Sequence, residues 1–448
     1  MIEETFSQKL LRIALPISLQ SLIAASLSIV DTLMVGRLGE TEIATVGFSV
    51  QFGFIFWMIL FGFTGGTITY MAQFFGKGDM ASVRRVTGIA TAFSIAIGIA
   101  FFCLNFFAPA TVLRIYTNIP EVIEMGIPFV RLIAFVFLAW GATIPLAAAL
   151  KATQQTDIPM KISIVVFSLN TILCILLING YLGAPKLGIM GAAWATLISR
   201  VIEIVIYLLV VFARKNIIAG PLKDFFSWTK TLFARVISNS IPTTANEAFW
   251  AAGVSMYIAA YGRIGVTEAA AVQASNTVFQ LFSLACFAVG DAMLIICGEK
   301  LGQGKTDEAF DLAKRILRVG VIMGAIAGGI LISISWLIVK LFNFTDMGMY
   351  HMTIILIIYG ITLFVKIYNG TVVVGALRSG GDTKAAMLID VGSVWLLGVP
   401  LAFIGALVLR LPVFMVVALV QIEEVAKLFV IRWRFNSKKW VRNLVKDL

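Results

Sequence analysis

The stretch Gly36-Arg37-Leu38-Gly39 returns as Gly262-Arg263-Ile264-Gly265, an offset of 226 residues (262 − 36 = 226). Pro16 and Pro242 keep the same offset (242 − 16 = 226). Apolar segments can match by chance, but proline, glycine and charged loop residues rarely hold one register over such a distance. Repeated units of this kind stack to bury a common core. The chain is therefore predicted to consist of two fused copies of one structural unit.

The composition predicts a membrane protein. Hydrophobic residues make up 60% of the chain and charged residues 13%, about half the charge of an ordinary soluble domain. Lipid offers no water to unpaired sheet edges, so apolar runs of about 20 residues are predicted to be transmembrane helices. The predicted fold class is an all-α polytopic membrane protein with twelve transmembrane helices, six in each copy. The runs lie near residues 13–35, 44–71, 87–109, 124–149, 162–182, 190–213, 237–261, 270–298, 319–341, 352–376, 385–408 and 412–433.

The distribution of basic residues predicts how these helices are oriented. Counted over alternate loops, 25 lysine and arginine residues lie on one side and 6 on the other, and cytoplasmic loops carry such an excess. Both termini are therefore predicted to be cytoplasmic. With six helices each, the copies enter the membrane from the same side, as parallel repeats that face a shared cleft. The predicted domains are an N-lobe at 1–213, a cytoplasmic linker at 214–236 and a C-lobe with a basic tail at 237–448.

Several classes of function lack a candidate in the sequence. The formal charge of +11 follows from the loop asymmetry, so nucleic-acid binding is not needed to explain it. Nucleophile and base sets, phosphate-binding loops and carboxylate-rich metal motifs are missing from the sequence, which predicts a non-enzyme without a cofactor. The four cysteines lack disulfide or zinc spacing. The single histidine, His351, is predicted to lie at the surface, and the N-terminus shows no removable signal peptide.

Polar side chains inside the predicted helices are the candidates for chemistry. An ionised group at a helix centre costs about 2.5 to 3.5 kcal/mol on insertion, so such residues need a reason to be there. Asp31 lies near the outer end of helix 1, where it either binds an ion or is an interfacial carboxylate close to water. Asn170 on helix 5 and Thr196 on helix 6 either contribute to a site or join helices by hydrogen bonds. Arg200 and Glu203 are predicted to pair with each other.

The second copy holds more of these charged residues. Glu247 lies about three turns into helix 7, too deep to reach the interface. It is predicted to bind a proton or a cation, and the alternative is a buried structural ion pair. Lys427 is spaced to neutralise Glu423-Glu424 on helix 12. Lys366 on helix 10 needs a partner, which Asp390 or Glu247 would supply, and the sequence does not choose between them. The candidate acids of this copy are Glu247, Asp390 and Asp291.

Aromatic, amide and basic side chains in the helices are candidates for a substrate surface. Adaptable apolar walls with a few carboxylates suit cationic aromatic ligands, since dispersion and cation–π contacts need little shape specificity. Most aromatic residues are expected to face lipid or neighbouring helices. The candidates for the cleft are Gln51, Phe52, Trp250, Gln273, Asn276 and Lys366.

Four segments together resemble the MATE (multidrug and toxic compound extrusion) transporters, a family within the multidrug/oligosaccharidyl-lipid/polysaccharide exporter superfamily. They are Val30–Gly39, Tyr261–Gly265, Gly375–Thr383 and Gly191–Thr196. Their order and spacing carry the resemblance, which covers nearly the whole chain. It implies a V-shaped pair of six-helix lobes that exports organic cations or other amphiphilic compounds in exchange for Na⁺ or H⁺.

The resemblance also implies site residues. In one branch of the family a helix 1 Asp, a helix 5 Asn and a helix 6 Thr form a cation site in the N-lobe, and these correspond to Asp31, Asn170 and Thr196. That branch has a second Asp where this chain has Cys174, so Asp31 is the sole acid of the implied site. Asp31 is also the one position implied to bind Na⁺.

A second branch of the family departs further from this sequence. Its helix 7 Glu falls at Trp250, and Glu247 is expected to take over that role by proximity alone. Its helix 10 Asp falls near residues 367–369, where this chain has no acid. A sodium site of that type in the C-lobe is therefore not expected.

The predicted function is secondary active multidrug efflux by alternating access, in a prokaryotic-type cytoplasmic membrane and by a functional monomer. A lipid-linked oligosaccharide flippase of the same superfamily is one alternative, although it would need more cations in the cleft than the four basic residues within helices. A non-transporting scaffold or receptor is another, although it would not need Asp31 and Glu247 in the membrane. The substrate and the choice between Na⁺ and H⁺ are not determined by the sequence.

Overall fold

A computed structural model describes residues 5–36, 38–342 and 344–448, and a few side chains in the first two helices, Asp31 among them, lie outside this description. All regular secondary structure in these ranges is helical. The first half contains α1 (Phe6–Gly36), α2 (Glu40–Lys77), α3 (Met80–Phe107), α4 (Pro109–Arg114), α5 (Pro120–Ala152), α6 (Asp157–Asn179), α7 (Ile189–Leu208) and α8 (Leu222–Phe226). A π-helical turn, Leu209–Ala213, extends α7.

The second half contains α9 (Lys230–Gly262), α10 (Val266–Gly302), α11 (Thr306–Val339), α12 (Asp346–Gly370), α13 (Thr383–Ser393), α14 (Val399–Phe403) and α15 (Val413–Asn436). π-Helical turns extend α12 over Thr371–Leu377, join α13 to α14 over Val394–Gly398 and follow α14 over Ile404–Val408. Each π turn shifts the hydrogen-bond register of its helix. The helices of this half are therefore less regular than those of the first.

Each apolar run predicted from the sequence is mostly helical in the structure, which confirms the all-α membrane fold. In the described ranges, ten helices are long and apolar enough to cross a membrane. The two other long helices, α9 and α15, are more polar, because α9 is rich in Ser, Thr and Asn and α15 carries Glu423-Glu424 and Lys427. Twelve membrane crossings therefore remain the predicted number.

The helix positions confirm the internal repeat. Helices α2, α3, α5 and α6 begin at residues 40, 80, 120 and 157, and α10, α11, α12 and α13 begin at 266, 306, 346 and 383. Each pair of starts differs by 226 residues (266 − 40 = 226), the offset of the sequence repeat. The two copies therefore share the positions at which these four helices begin, as well as glycine and proline residues at the same offset.

The chain packs as two compact units. The first-repeat unit comprises residues 19–71 and 78–236, and the second-repeat unit comprises 1–18, 72–77 and 237–448. The second-repeat unit thus includes the start of α1 and the end of α2, which the sequence assigned to the N-lobe. Lys9 Nζ lies 2.6 Å from Glu299 Oε2, and Gln73 Nε2 donates to the Ser379 carbonyl oxygen at 2.8 Å. These long-range contacts cannot be read from the order of the helices.

The predicted linker 214–236 is folded in part. It contains α8, which packs against α3 and buries Phe225. Arg84 of α3 donates through Nη1 to Asp224 Oδ2 at 3.1 Å, and Gly88 lies against the Phe225 backbone with no room for a Cβ. The linker is therefore held to the first-repeat unit by both packing and an ion pair.

A glycine close contact in the second-repeat unit gives a stability prediction. Gly302 lies so close to Gln73 that a Cβ would overlap the Gln73 carbonyl oxygen, so Gly302→Ala is expected to force the two helix ends apart. Overpacking of this kind costs about 1 to 3 kcal/mol, which should lower the thermal midpoint in detergent. Gly329→Ala is the matched control, because no atom lies within 4 Å of its added Cβ. Equal midpoints for the two variants would contradict the close contact.

Candidate functional site

The first-repeat unit brings three predicted site residues together. Asn170 on α6 donates through Nδ2 to Thr196 Oγ1 on α7 at 3.4 Å, and the Cys174 thiol donates to Asn170 Oδ1 at 3.6 Å. Thr196 donates in turn to the Ala192 carbonyl oxygen at 3.0 Å. Asn170 and Cys174 are buried. The three side chains therefore form one polar group within the packing of α6 and α7.

Asp31 is carried by α1, and its side chain lies outside the described residues. Met34, three residues further along α1, packs against the apolar cluster that contains Cys174 and Ala195. This contact places the Met34 end of α1 against α6 and α7 near Cys174, whose thiol donates to Asn170. Whether Asp31 completes a site there remains a prediction.

One turn further along α7 lies an ion pair that the sequence predicted. Arg200 Nη1 lies 2.8 Å from Glu203 Oε2, at an i, i+3 spacing, and the Arg200 guanidinium lies over the Trp140 ring at 5.3 Å. The pair neutralises both charges within the first-repeat unit. The prediction of mutual pairing is confirmed.

The second-repeat unit contains a larger group of charges around Lys427, called here the Lys427 cluster: Asp390, Glu423, Glu424 and Lys427. Lys427 Nζ lies 2.9 Å from Asp390 Oδ1, 3.0 Å from Glu423 Oε1 and 3.4 Å from Glu424 Oε2. The Lys427 side chain is only 3% exposed. Charges buried to this degree need partners and hydrogen bonds. The predicted contacts of Lys427 with Glu423-Glu424 are confirmed, and Asp390 is an additional partner.

Neutral side chains from three helices surround the Lys427 cluster. Tyr257 donates to Glu423 Oε2 at 2.7 Å and Ser393 to Glu423 Oε1 at 3.2 Å. Asn246 donates to Asp390 Oδ2 at 3.1 Å, and Asn369 donates to Glu424 Oε2 at 2.8 Å. None of these four was a candidate from the sequence. Asn246 directly precedes Glu247 in the sequence, and this position is the one local pattern that indicates a role for Asn246.

Glu247 has a partner of its own. Its Oε1 lies 2.6 Å from Arg378 Nη2, and Arg378 is 1% exposed. Arg378 lies directly after the π-helical turn that extends α12. Of the predicted acids, the structure thus places Asp390 in the Lys427 cluster and Glu247 in a separate pair beside it, while Asp291 is half-buried on α10.

Lys366 shows where the sequence interpretation failed. Neither proposed partner pairs with it, because Asp390 binds Lys427 and Glu247 binds Arg378. Lys366 Nζ instead lies 5.0 Å from the centroid of the Phe279 ring. An aromatic face of this kind attracts a cation.

The expectation that His351 lies at the surface is wrong. His351 is buried, not at the surface, and its ring packs against Phe414 with centroids 5.9 Å apart. All four cysteines are free, and Cys103 is the exposed one.

A family model described as MatE matches residues 16–176 and residues 245–404. The two matched segments cover most of the chain, one in each repeat. The chain belongs to the MatE family. This identification confirms the resemblance carried by the four sequence segments. Members of the MatE family are transporters and not enzymes, and the protein is accordingly a multi-pass integral membrane transporter of the multidrug efflux type.

Curated relatives in the MatE family match the chain along most of its length. The chain is 23% identical over 402 residues to the probable multidrug resistance protein YoeA of Bacillus subtilis, covering 87% of this chain and 84% of that one. It is 22% identical over 400 residues to the probable multidrug resistance protein NorM of Thermotoga maritima, covering 89% and 85%.

Solved structures share the MatE fold. An outward-facing multidrug resistance MATE transporter superposes with a TM-score of 0.88 at 15% identity, covering 97% of both chains. A superfamily transporter from Pyrococcus furiosus, described as having a binding pocket of reversed polarity, superposes with a TM-score of 0.87 at 15% identity and 97% coverage of both chains. At this identity the likeness establishes the fold and leaves the substrate open.

The predicted cleft residues of this MatE protein differ in exposure. Gln51 and Gln273 are exposed, and Trp250 is half-buried. Phe52 is buried and packs against Phe101, with ring centroids 5.1 Å apart. Asn276 accepts a hydrogen bond from the Tyr359 hydroxyl at 2.8 Å. Their assignment to a substrate surface remains a prediction.

Proposed function

We propose that the protein exports organic cations or amphiphilic compounds from the cytoplasm in exchange for Na⁺ or H⁺, by alternating access. The family supplies the class of activity. The observation that carries the coupling is the convergence of Asn170 and Thr196 on α6 and α7, against which α1, the helix of Asp31, also packs. Amide and hydroxyl oxygens beside a carboxylate are ligands that suit a hard cation such as Na⁺. The same carboxylate would carry a proton.

Coupling requires that the ion change the balance between two states of the transporter. A ligand shifts such an equilibrium only by its difference in affinity for the two states. Binding of Na⁺ or H⁺ at Asp31 would rearrange α1 against α6 and α7 and release the organic ligand. Each charge that crosses the membrane supplies about 2.3 kcal/mol per 100 mV, which is enough to move a balance of a few kcal/mol.

Transport in proteoliposomes tests this proposal, with ethidium as the fluorescent organic cation. Asp31→Asn is expected to lose ethidium transport driven by an ion gradient, because an amide neither titrates nor contributes a charge to the ion. Asp157→Asn is the matched control. Asp157, at the start of α6, is also an acid, but its side chain is 47% exposed and pairs with Lys161. Gradient-driven transport by Asp31→Asn at the level of Asp157→Asn would contradict the proposed site.

A further inference from the structure

One face of α15 is exposed and apolar for most of its length. Its large side chains are Ile422, Val425, Phe429 and Trp433, which follow one another at spacings of three or four residues. Residues at these spacings lie in one stripe along a helix. Lipid tails are as apolar as such side chains. The predicted span 412–433 is therefore expected to present this stripe to the acyl chains of the bilayer.

A concavity at the end of α15, called here the end pocket, combines aromatic and polar side chains. It has a volume of about 480 Å³ and is lined by Phe429, Arg432, Trp433, Asn436 and Ser437. Arg432 is exposed. Among the described residues no carboxylate forms an ion pair with Arg432, whereas Arg434 is held by Asp382 at 2.6 Å. The end pocket therefore carries a positive charge that the protein does not neutralise.

A second concavity, called here the groove, lies between α12 and α15. It has a volume of about 250 Å³. The aliphatic side chains that line it are Ile358, Ile361, Ala418, Ile422 and Val425. Its two polar lining residues bind each other, since Thr362 donates to Gln421 Oε1 at 3.2 Å. The groove therefore suits an apolar ligand.

The end pocket and the groove lie along the same stripe of α15. Ile422 lines the groove and Arg432 lines the end pocket, ten residues further on (432 − 422 = 10). Ten residues of α-helix rise about 15 Å. The hydrocarbon core of a bilayer is about 30 Å thick, so this distance is the depth of one leaflet. One lipid chain can therefore reach from the end pocket to the groove.

The end pocket lies where the predicted span leaves the membrane. The excess of basic residues in the neighbouring loops predicts that this end of α15 is cytoplasmic. The cytoplasmic leaflet contains anionic lipids, which attract basic residues close to the membrane. Arginine binds phosphate oxygens through charge-assisted hydrogen bonds. Arg432 is thus at the depth of a lipid phosphate, and Trp433 is at the boundary where tryptophan is enriched.

Other ligands fit these two concavities less well. An inorganic anion would occupy the end pocket and leave the groove unfilled. An organic cation would be repelled by Arg432. A phospholipid with a zwitterionic headgroup has a phosphate, but it also brings an ammonium group close to the Arg432 guanidinium. A phospholipid with a net negative headgroup avoids this repulsion and fills both concavities.

We propose that the end pocket and the groove are the two ends of a binding site for one anionic phospholipid. Arg432 binds the headgroup phosphate, and the Asn436 side-chain amide is a second donor. Phe429 and Trp433 pack against the first part of an acyl chain, whose end fills the groove. The site goes beyond the proposed export function and does not depend on the coupling ion. Because the lipid binds the folded protein, it stabilises the second-repeat unit by mass action.

Lipid titration of delipidated protein in detergent tests the site, with the thermal midpoint as the readout. Phosphatidylglycerol with two oleoyl chains is expected to bind about tenfold more tightly than phosphatidylcholine with the same chains, the usual effect of one charged contact. Arg432→Gln should abolish this preference. Arg315→Gln is the matched control, because Arg315 is also an exposed helical arginine of this unit but lines neither concavity.

Ala418→Phe tests the groove separately. Ala418 is exposed and lines the groove, so an added ring is expected to fill the groove without disturbing the core. The variant should bind both lipids several-fold more weakly and keep its preference for phosphatidylglycerol. Ala325→Phe, at an exposed alanine of α11, is the control. Equal lipid affinities of the two variants would show that the acyl chain does not occupy the groove.

The remaining outcomes decide the headgroup assignment. Equal affinity of wild type for the two lipids, or a preference that survives Arg432→Gln, would overturn the site. Inorganic phosphate that raises the midpoint as much as phosphatidylglycerol would assign the end pocket to a free anion and overturn the lipid. None of these results affects the proposed export function, which is measured as ethidium transport.

Native mass spectrometry of the wild type keeps the test valid if Arg432→Gln does not fold. Protein incubated with equal amounts of the two lipids is expected to retain one molecule of phosphatidylglycerol in preference to phosphatidylcholine. Retention of both lipids in equal amounts, or of neither, would contradict the proposed site.

Discussion

Lys427→Met should strongly destabilise the second-repeat unit. The substitution preserves the length of the side chain and leaves Asp390, Glu423 and Glu424 buried without their shared cation. Removing one partner of a buried ion pair typically costs about 3 to 5 kcal/mol. The expected result is a much lower thermal midpoint in detergent, or a failure to accumulate folded protein.

Lys161→Met is the matched control for this substitution. Lys161 also pairs with an acid at i, i+4 spacing, but its side chain is 68% exposed, and exposed pairs contribute about 0 to 1 kcal/mol. Lys427→Met combined with Glu424→Gln should recover part of the loss, because one of the unpaired acids is then neutral. A Lys427→Met variant as stable as Lys161→Met would show that the cluster is not held by its lysine.

Arg378→Met should have an effect of similar size. Arg378 is 1% exposed and lies 2.6 Å from Glu247 Oε1, so its loss leaves a buried carboxylate without its partner. The expected cost is about 3 to 5 kcal/mol, measured as the thermal midpoint in detergent. Arg263→Met, at an exposed arginine in the loop between α9 and α10, is the control and should be close to wild type.

The double variant Arg378→Met with Glu247→Gln distinguishes lost charge balance from lost packing. If the broken ion pair causes the loss of stability in Arg378→Met, the effects of the two substitutions are not additive. The double variant is then more stable than Arg378→Met alone. Additive losses would instead assign the effect to packing around Arg378.

Much of the fold follows from local sequence. Apolar runs and the 226-residue offset predict the helices and the repeat, because lipid imposes the length and composition of each span. Pairs within one helix are also predictable, as Arg200–Glu203 and Glu423-Glu424 with Lys427 show. In these cases the helical spacing alone brings the charges together.

Contacts between distant helices could not be predicted in this way. Glu247 and Arg378 are 131 residues apart, and Asn246 and Asp390 are 144 apart. Which residues meet depends on the rotation of each helix about its axis, and the π-helical turns of α12 and α13 change that rotation partway along. Lys366 was therefore assigned to the wrong partners.

Burial near helix ends was equally hard to predict. His351 lies near the start of α12, where the sequence indicates exposure, yet Phe414 and Tyr350 cover it. The start of α1 and the end of α2 belong to the first copy in sequence but pack within the second-repeat unit, through Lys9 and Gln73. These outcomes depend on tertiary packing, which no local pattern records.

The proposal of cation-coupled export is tested most directly by wild-type protein in proteoliposomes, with ethidium as the probe and the membrane potential clamped. A pH gradient alone and a sodium gradient alone are applied in turn, and ethidium movement against its own gradient is recorded. The account predicts uphill ethidium transport with one of the two gradients, stopped when that gradient is collapsed. Ethidium that only equilibrates, at the same rate with either gradient and with none, would contradict it.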